Sequence, residues 1–124
     1  MLWGPGEEQL ATSVVTAAGD VAAVSPKTTV AALVSLAKAA SLMISGDTGP
    51  MHIAAASHTP IVGIFGPTDP KRNGPWAEDD LTVSRYGACA CHYRRECRIS
   101  SWCLLDVTPR EVLDLAERRL FLHA

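Results

Sequence analysis

With 124 residues, 48% of them hydrophobic, the chain has the length of one ordinary domain and enough apolar side chains to bury a core. Its 11 Lys and Arg against 13 Asp and Glu give a formal net charge of −2, so the charge balance points neither to nucleic acid nor to an acidic tail. No apolar run approaches the roughly 18 residues that span a bilayer. The first residues lack the basic-then-apolar plan of a secretory signal, which makes a cytoplasmic protein with reduced cysteines the expectation.

Short apolar, β-prone segments recur about every 20 residues, a spacing that suits one strand plus one helix. They fall at Met1-Leu2-Trp3, Val21-Ala22-Ala23-Val24, Leu42-Met43-Ile44-Ser45, Ile61-Val62-Gly63-Ile64-Phe65 and Leu81-Thr82-Val83-Ser84. Between them, residues 7–18 have acids in the first turn and Gly19 just past the end, the start and stop signals of a helix. Residues 30–40 place Val30, Leu33, Val34 and Ala37 at the spacing of one buried helical face. Residues 66–80, rich in Gly, Pro and Asp, read as loop, as does the irregular cysteine segment 86–105. A final helix is predicted over 108–121. Thr108-Pro109-Arg110-Glu111 fits a capping box with proline at the first position, and Val112, Leu113, Leu115, Ala116 and Leu120 form an apolar stripe. Alternating strands and helices imply an α/β fold with a mostly parallel sheet covered on both faces.

The most informative stretch is Gly46-Asp47-Thr48-Gly49-Pro50-Met51-His52, which follows an apolar strand and leads into the small-residue run Ile53-Ala54-Ala55-Ala56. Two glycines permit a sharp turn and close approach to a ligand. Pro50 suits the first helical turn. The unpaired N–H groups and positive dipole end of that helix then face whatever lies beyond the strand, and phosphate is the usual occupant. Thr48 and the amides of Thr48 and Gly49 are the candidate phosphate ligands. Asp47 carries the wrong charge for direct contact, so capping the helix, holding the loop or meeting a sugar hydroxyl suits it better. His52, in the first helical turn, is a candidate donor to phosphate or sugar, whereas His58 reads as a surface residue.

Together with the later Thr59-Pro60-Ile61-Val62-Gly63-Ile64-Phe65-Gly66-Pro67-Thr68-Asp69-Pro70, this string closely resembles the C-terminal, donor-binding half of family 9 glycosyltransferases, the ADP-heptose:lipopolysaccharide heptosyltransferases. Their hallmark is Asp-Thr-Gly-x-x-His, an alanine-rich helix, an apolar strand and Gly-Pro-Thr-Asp-Pro, in that order. The resemblance implies a Rossmann-like domain, one half of the two-domain GT-B architecture, covering residues 1–124 and starting after the domain's first βα unit.

Further assignments follow from the resemblance. Glu7 corresponds to a residue that hydrogen-bonds the nucleotide ribose; the alternative is that Glu7 and Glu8 simply complement a helix N-terminus. The segment around Thr28 borders the adenine ring, although the hydroxyls of Thr28 and Thr29 serve equally well as helix caps. Thr68 and Asp69 are candidate donor-sugar contacts, a purely structural turn being the alternative. Arg94, Arg95 and Arg98 suit the carboxylates and phosphates of the family's acceptors; a solvated basic loop paired with Glu96 is the ordinary alternative. Cys89, Cys91, Cys97 and Cys103 resemble a cysteine cluster found in many members. Reduced thiols in a packed loop are expected there. A zinc site, with His92 as a substitute ligand, is disfavoured because the spacing lacks the usual Cys-x2–4-Cys knuckles.

The family inverts the anomeric centre of ADP-heptose as ADP leaves and an acceptor hydroxyl attacks. No cofactor is required. The base that takes the hydroxyl proton lies in the family's N-terminal domain, and no carboxylate in these residues matches it. The expected partners are a nucleotide-sugar donor and, through that other domain, the lipopolysaccharide core, with peripheral contact at the inner membrane and no nucleic acid. A non-catalytic nucleotide-binding module or truncated gene product, and a metal protein built on the four cysteines, remain the alternatives.

Overall fold

The structure, a computed structural model, describes residues 1–99 and 101–123, the last without its side chain; residue 100 of the expected cysteine loop lies outside the described residues. Two compact units divide the chain, Met1–Ala32 and Leu33–Ala124.

In the first unit, helix α1 (Glu8–Ala18) ends where Gly19 turns into the left-handed region at φ 71°, a conformation glycine adopts without a Cβ penalty. A 3-10 turn, Gly19–Val21, follows. The two strands expected here are not formed as strands. Residues 1–3 lie beside 23–25 in a parallel pairing of two bonds: Ser25 N–H donates to Met1 O at 2.9 Å and the Met1 amine donates to Ala23 O. The indole N–H of Trp3 reinforces them by donating to Ser25 O at 2.7 Å. Gly4, Pro5 and Gly6 stop the first segment after three residues, and the 3-10 turn takes Val21 from the second.

Helix α2 (Val30–Ala39), within which the division falls, opens with Thr29 Oγ1 accepting from Ala32 N–H at 3.1 Å; Thr29 is thus the capping hydroxyl. The second unit then runs β1 (Met43–Gly46), α3 (Gly49–Ala56), β2 (Ile61–Phe65), α4 (Pro70–Asn73), β3 (Leu81–Ser84) and α5 (Pro109–His123), with 3-10 turns at Tyr86–Ala88 and Cys103–Asp106. The strands lie in the order β1-β2-β3, and both pairings are parallel, Ile44 opposite Val62 and Ile64 opposite Val83.

Strand alternation divides the sheet residues between two helical layers. Ile61 and Phe65 face α3, where they form a core with Ala37, Met51 and Ala54. Ile44 and Ile64 face α5 across an open apolar groove of about 530 Å³ that also meets Leu104, Val107, Val112, Leu113 and Ala116. Thr59, at the start of β2, ties the α3 layer to α2 by donating from Oγ1 to Ala37 O at 2.8 Å.

Two further expectations are corrected. The span 66–80 is not all loop: Asp69 accepts from Lys71 N–H at 2.9 Å and Pro70 takes the first helical position, which starts the single turn α4. It has no apolar periodicity and so left no trace in the hydrophobic pattern. The apolar stripe of α5 is also only partly sunk. Leu113 and Leu120 are exposed by more than two fifths, while the helix buries Ala116 and, three residues on, Arg119.

Arg119 Nε donates to Asp80 Oδ1 at 3.0 Å, with both side chains under a tenth exposed; the same oxygen accepts from Ile61 N–H at 2.8 Å. The pair therefore pins α5 to the amino end of β2. Breaking a buried pair from one side strands the other charge, so Asp80→Ala is expected to destabilise the protein by about 3–5 kcal/mol. Urea denaturation checks this. A loss below about 1 kcal/mol would show that the ion pair does not hold α5 in place.

Candidate functional site

Because β1, β2 and β3 are parallel, their carboxyl ends share one rim of the sheet. β1 delivers Asp47 and Thr48 there, β2 delivers residues 66–70, and β3 delivers Arg85 and the cysteine loop.

At the first of these ends, Thr48 has extended backbone (φ −142°, ψ 165°) and is the N-cap residue of α3, with proline in the first turn. Its hydroxyl does not cap the helix; it lies 3.1 Å from Ser45 Oγ, closing the loop on the strand it leaves. Met51 N–H turns inward to Thr48 O at 3.1 Å. The N–H groups of Thr48 and Gly49 donate to nothing among the described residues. They are the orphan donors that every helix start leaves. A Cβ placed on Gly49 would meet no atom within 4 Å, so the space beside its Cα is open.

Asp47 is not a helix cap, which corrects one of its expected roles. Its Oδ2 accepts from Asn73 Nδ2 at 2.8 Å, and its Oδ1 lies 3.5 Å from His52 Nε2. The carboxylate is thus held sideways, bonded to Asn73 of α4 and close to His52 of α3. Asn73 is a residue the sequence reading missed. It lies 26 positions from Asp47, and no local spacing connects them.

The turn after β2 is set by close packing. A Cβ on Gly66 would come within 2.7 Å of Leu104 Cγ and 3.1 Å of Cys103 Sγ, so glycine lets the Cys103–Asp106 turn press against the strand end. Asp69 is engaged in capping α4. Pro67 O accepts from Tyr93 N–H at 2.9 Å, and the Arg72 guanidinium lies 5.4 Å from the centre of the Tyr93 ring, within cation–π range. These contacts hold the cysteine loop against the same rim.

The four cysteines are all thiols, and they sort into pairs: Cys91 Sγ lies 3.2 Å from Cys97 Sγ, and Cys103 neighbours Cys89. Among the described residues, no three His, Cys, Asp or Glu side chains converge as a metal shell would require. Arg94, Arg95 and Arg98 are exposed, and no ion pair joins them to Glu96 among the described residues. His58 is exposed, at φ 58°.

In the first unit, Glu7 Oε2 accepts from Gly4 N–H at 2.9 Å, and Glu7 is the N-cap residue of α1.

The third strand end is locked by Arg85, whose Nη2 donates to both oxygens of Glu111 at 2.7 and 2.8 Å and to Asp106 O at 2.8 Å. Glu111 completes the capping box, accepting from Thr108 N–H at 2.8 Å while Thr108 Oγ1 accepts from Glu111 N–H at 3.2 Å. The Arg85 and Thr108 donors lower its carboxyl from the ordinary 4.5 to about 2. A carboxyl depressed on folding contributes stability that is complete above its unfolded pKa and lost as pH falls through its folded one. The difference in thermal midpoint between the protein and Glu111→Gln is therefore expected to shrink between pH 4.5 and about 2. A difference independent of pH over that window would rule out the Arg85 pairing.

Residues 1–103 match the sequence profile of glycosyltransferase family 9 (heptosyltransferase). The chain is 30% identical over 96 residues to lipooligosaccharide heptosyltransferase 2 of Campylobacter jejuni, an alignment covering 76% of this chain and 30% of that protein. It is 28% identical over 95 residues to lipopolysaccharide heptosyltransferase 1 of Pseudomonas aeruginosa, covering 77% and 27% respectively. The crystal structure of a family 9 glycosyl transferase from Veillonella parvula superposes with a TM-score of 0.77 at 22% identity, over 98% of this chain and 36% of that one. The chain thus spans about 30% of the length of the curated relatives it matches.

Proposed function

We propose, since this chain belongs to glycosyltransferase family 9, that residues 46–52 form the diphosphate cradle of a nucleotide-sugar donor, ADP-heptose, used in building the lipopolysaccharide core. The observation that carries the reading is the pair of undonated N–H groups at Thr48 and Gly49, at the head of α3 and on the carboxyl rim of a parallel sheet. Relatives along most of the chain bear heptosyltransferase names, which supports a heptose as the sugar.

In the reaction the acceptor hydroxyl forms the new bond at the anomeric carbon, and the bond to the diphosphate oxygen breaks with its electron pair going to ADP. Negative charge grows on the diphosphate as that bond lengthens. Fixed amides aimed at it stabilise the transition state without reorganising, and losing one such donor in comparable sites costs about 10²–10³ in rate. His52 adds a donor from the same turn when its imidazole is not committed to Asp47. Thr68 sits beside the cradle's supporting helix and is assigned to the sugar; Asp69 is assigned chiefly to the cap of α4. In the first unit, the family likeness assigns Glu7 to a ribose and the backbone near Thr28 to an adenine edge. Arg94, Arg95 and Arg98 are assigned to an anionic acceptor, peripheral to the inner membrane. No carboxylate here is assigned as the base, so the activity of these residues is donor binding, with proton removal supplied from elsewhere in the enzyme.

Gly49→Pro tests the cradle, because it deletes one N–H while the extended backbone of Thr48 tolerates a following proline and the first helical position accepts one. A hydrogen bond to a charged group is worth about 1.5–3 kcal/mol, so affinity for ADP is expected to fall about 10- to 100-fold by calorimetric titration. Unchanged affinity, or a preference for UDP or GDP over ADP in the unmodified chain, would overturn the assignment.

A further inference from the structure

We infer that Cys91 and Cys97 form a reversible dithiol–disulfide modification site, which closes a covalent ring in the loop that supports the turn after β2. This rests on the sulfur geometry and stands independently of the nucleotide assignment. The two Sγ atoms are already 3.2 Å apart, so little movement separates them from a bond. The intervening chain is shaped to bring them together: Arg94 N–H returns to Cys91 O at 3.2 Å, and Tyr93 takes a left-handed φ of 56°, uncommon for a residue with a Cβ. His92 is held by stacking on Tyr86 at 4.1 Å between ring centres and by its Nε2 at 2.9 Å from Tyr86 O. The ring closes around Tyr93, whose N–H holds Pro67 O, so forming the bond fixes that support.

The pair is graded in access. Cys91 is buried at 2% exposure, while Cys97 is half-buried and can be reached from solvent. Exposed Arg94, Arg95 and Arg98 favour an anionic reagent at Cys97. The second thiol pair is a poorer competitor: burial and the neighbouring Cys89 push the Cys103 thiol up, which keeps it protonated.

The oxidant is an anionic low-molecular-weight disulfide of the glutathione class. The Cys97 thiolate attacks one of its sulfurs, forming a mixed disulfide and expelling one thiolate. The Cys91 thiolate then attacks the Cys97 sulfur and expels the second. Two protein thiols and one small disulfide become one protein disulfide and two small thiols, with no other reactant.

Trypsin separates the outcomes because it cuts between the two cysteines. Residues 86–94 carry Cys89 and Cys91, residues 96–98 carry Cys97, and residues 99–110 carry Cys103. After the full chain is incubated with oxidised glutathione and alkylated, mass spectrometry should find the 86–94 peptide joined to 96–98, lighter by two hydrogens. Two of the four thiols should be lost to alkylation, and both should return with dithiothreitol. Cys91→Ser and Cys97→Ser should each abolish the link; Cys89→Ser and Cys103→Ser should leave it. The inference is overturned if all four thiols stay alkylatable, if glutathione remains on Cys97 unresolved, or if 86–94 joins chiefly to 99–110.

Discussion

The constraint on which the rest depends is the common direction of β1, β2 and β3. Parallel pairing sends every strand's exit to one rim, so the loops after Gly46, Phe65 and Ser84 must meet there. It also obliges the chain to return by α3 and by the longer route through α4, which brings small residues and helix starts to that rim. The apolar groove facing α5 lies along the other face of the sheet and is lined by Ile44, Ile64 and Leu113. The polar mouth at Thr48 and the apolar groove therefore belong to different parts of the same unit, and it is the mouth that offers unsatisfied donors.

On the proposed reading, the aspartate in this loop poses an electrostatic problem, since a carboxylate beside a diphosphate repels it. The fold answers it through Asn73. The amide of Asn73 holds one Asp47 oxygen at 2.8 Å, and His52 stands 3.5 Å from the other. Asp47 thereby acts as a strut between α4 and the head of α3, and the open amides of Thr48 and Gly49 present positive potential to the rim. The short helix α4, begun by Asp69 and Pro70, carries Asn73 at its end and so supplies the far end of this strut.

The sequence made visible what depends on neighbours in the chain. The bounds of β2 and β3, the glycine stop of α1 and the capping box of α5 all came from local pattern. The strand-to-helix loop with its open amides was equally legible, because Gly, Thr and Pro at fixed offsets specify one backbone path. What stayed hidden is long-range. Asn73 reaches Asp47 across 26 residues and Arg119 reaches Asp80 across 39, and neither contact has a period or a motif. The expected strands at residues 1–3 and 21–24 had the right composition, yet their flanking turns left room for just a two-bond pairing. Arg119 also shows why an apolar stripe misleads. The face of α5 that sinks deepest carries a charged residue, and two of the leucines that define the stripe stay half in water.

The central claim, that the amides opening α3 grip a diphosphate, is tested most directly by following backbone amide resonances of the labelled chain during titration with ADP. The Thr48 and Gly49 amide protons are expected to move downfield and saturably, with the resonances of Leu104 and Val112 in the apolar groove unmoved. Shifts gathered in that groove, with Thr48 and Gly49 unaffected at saturation, would contradict it.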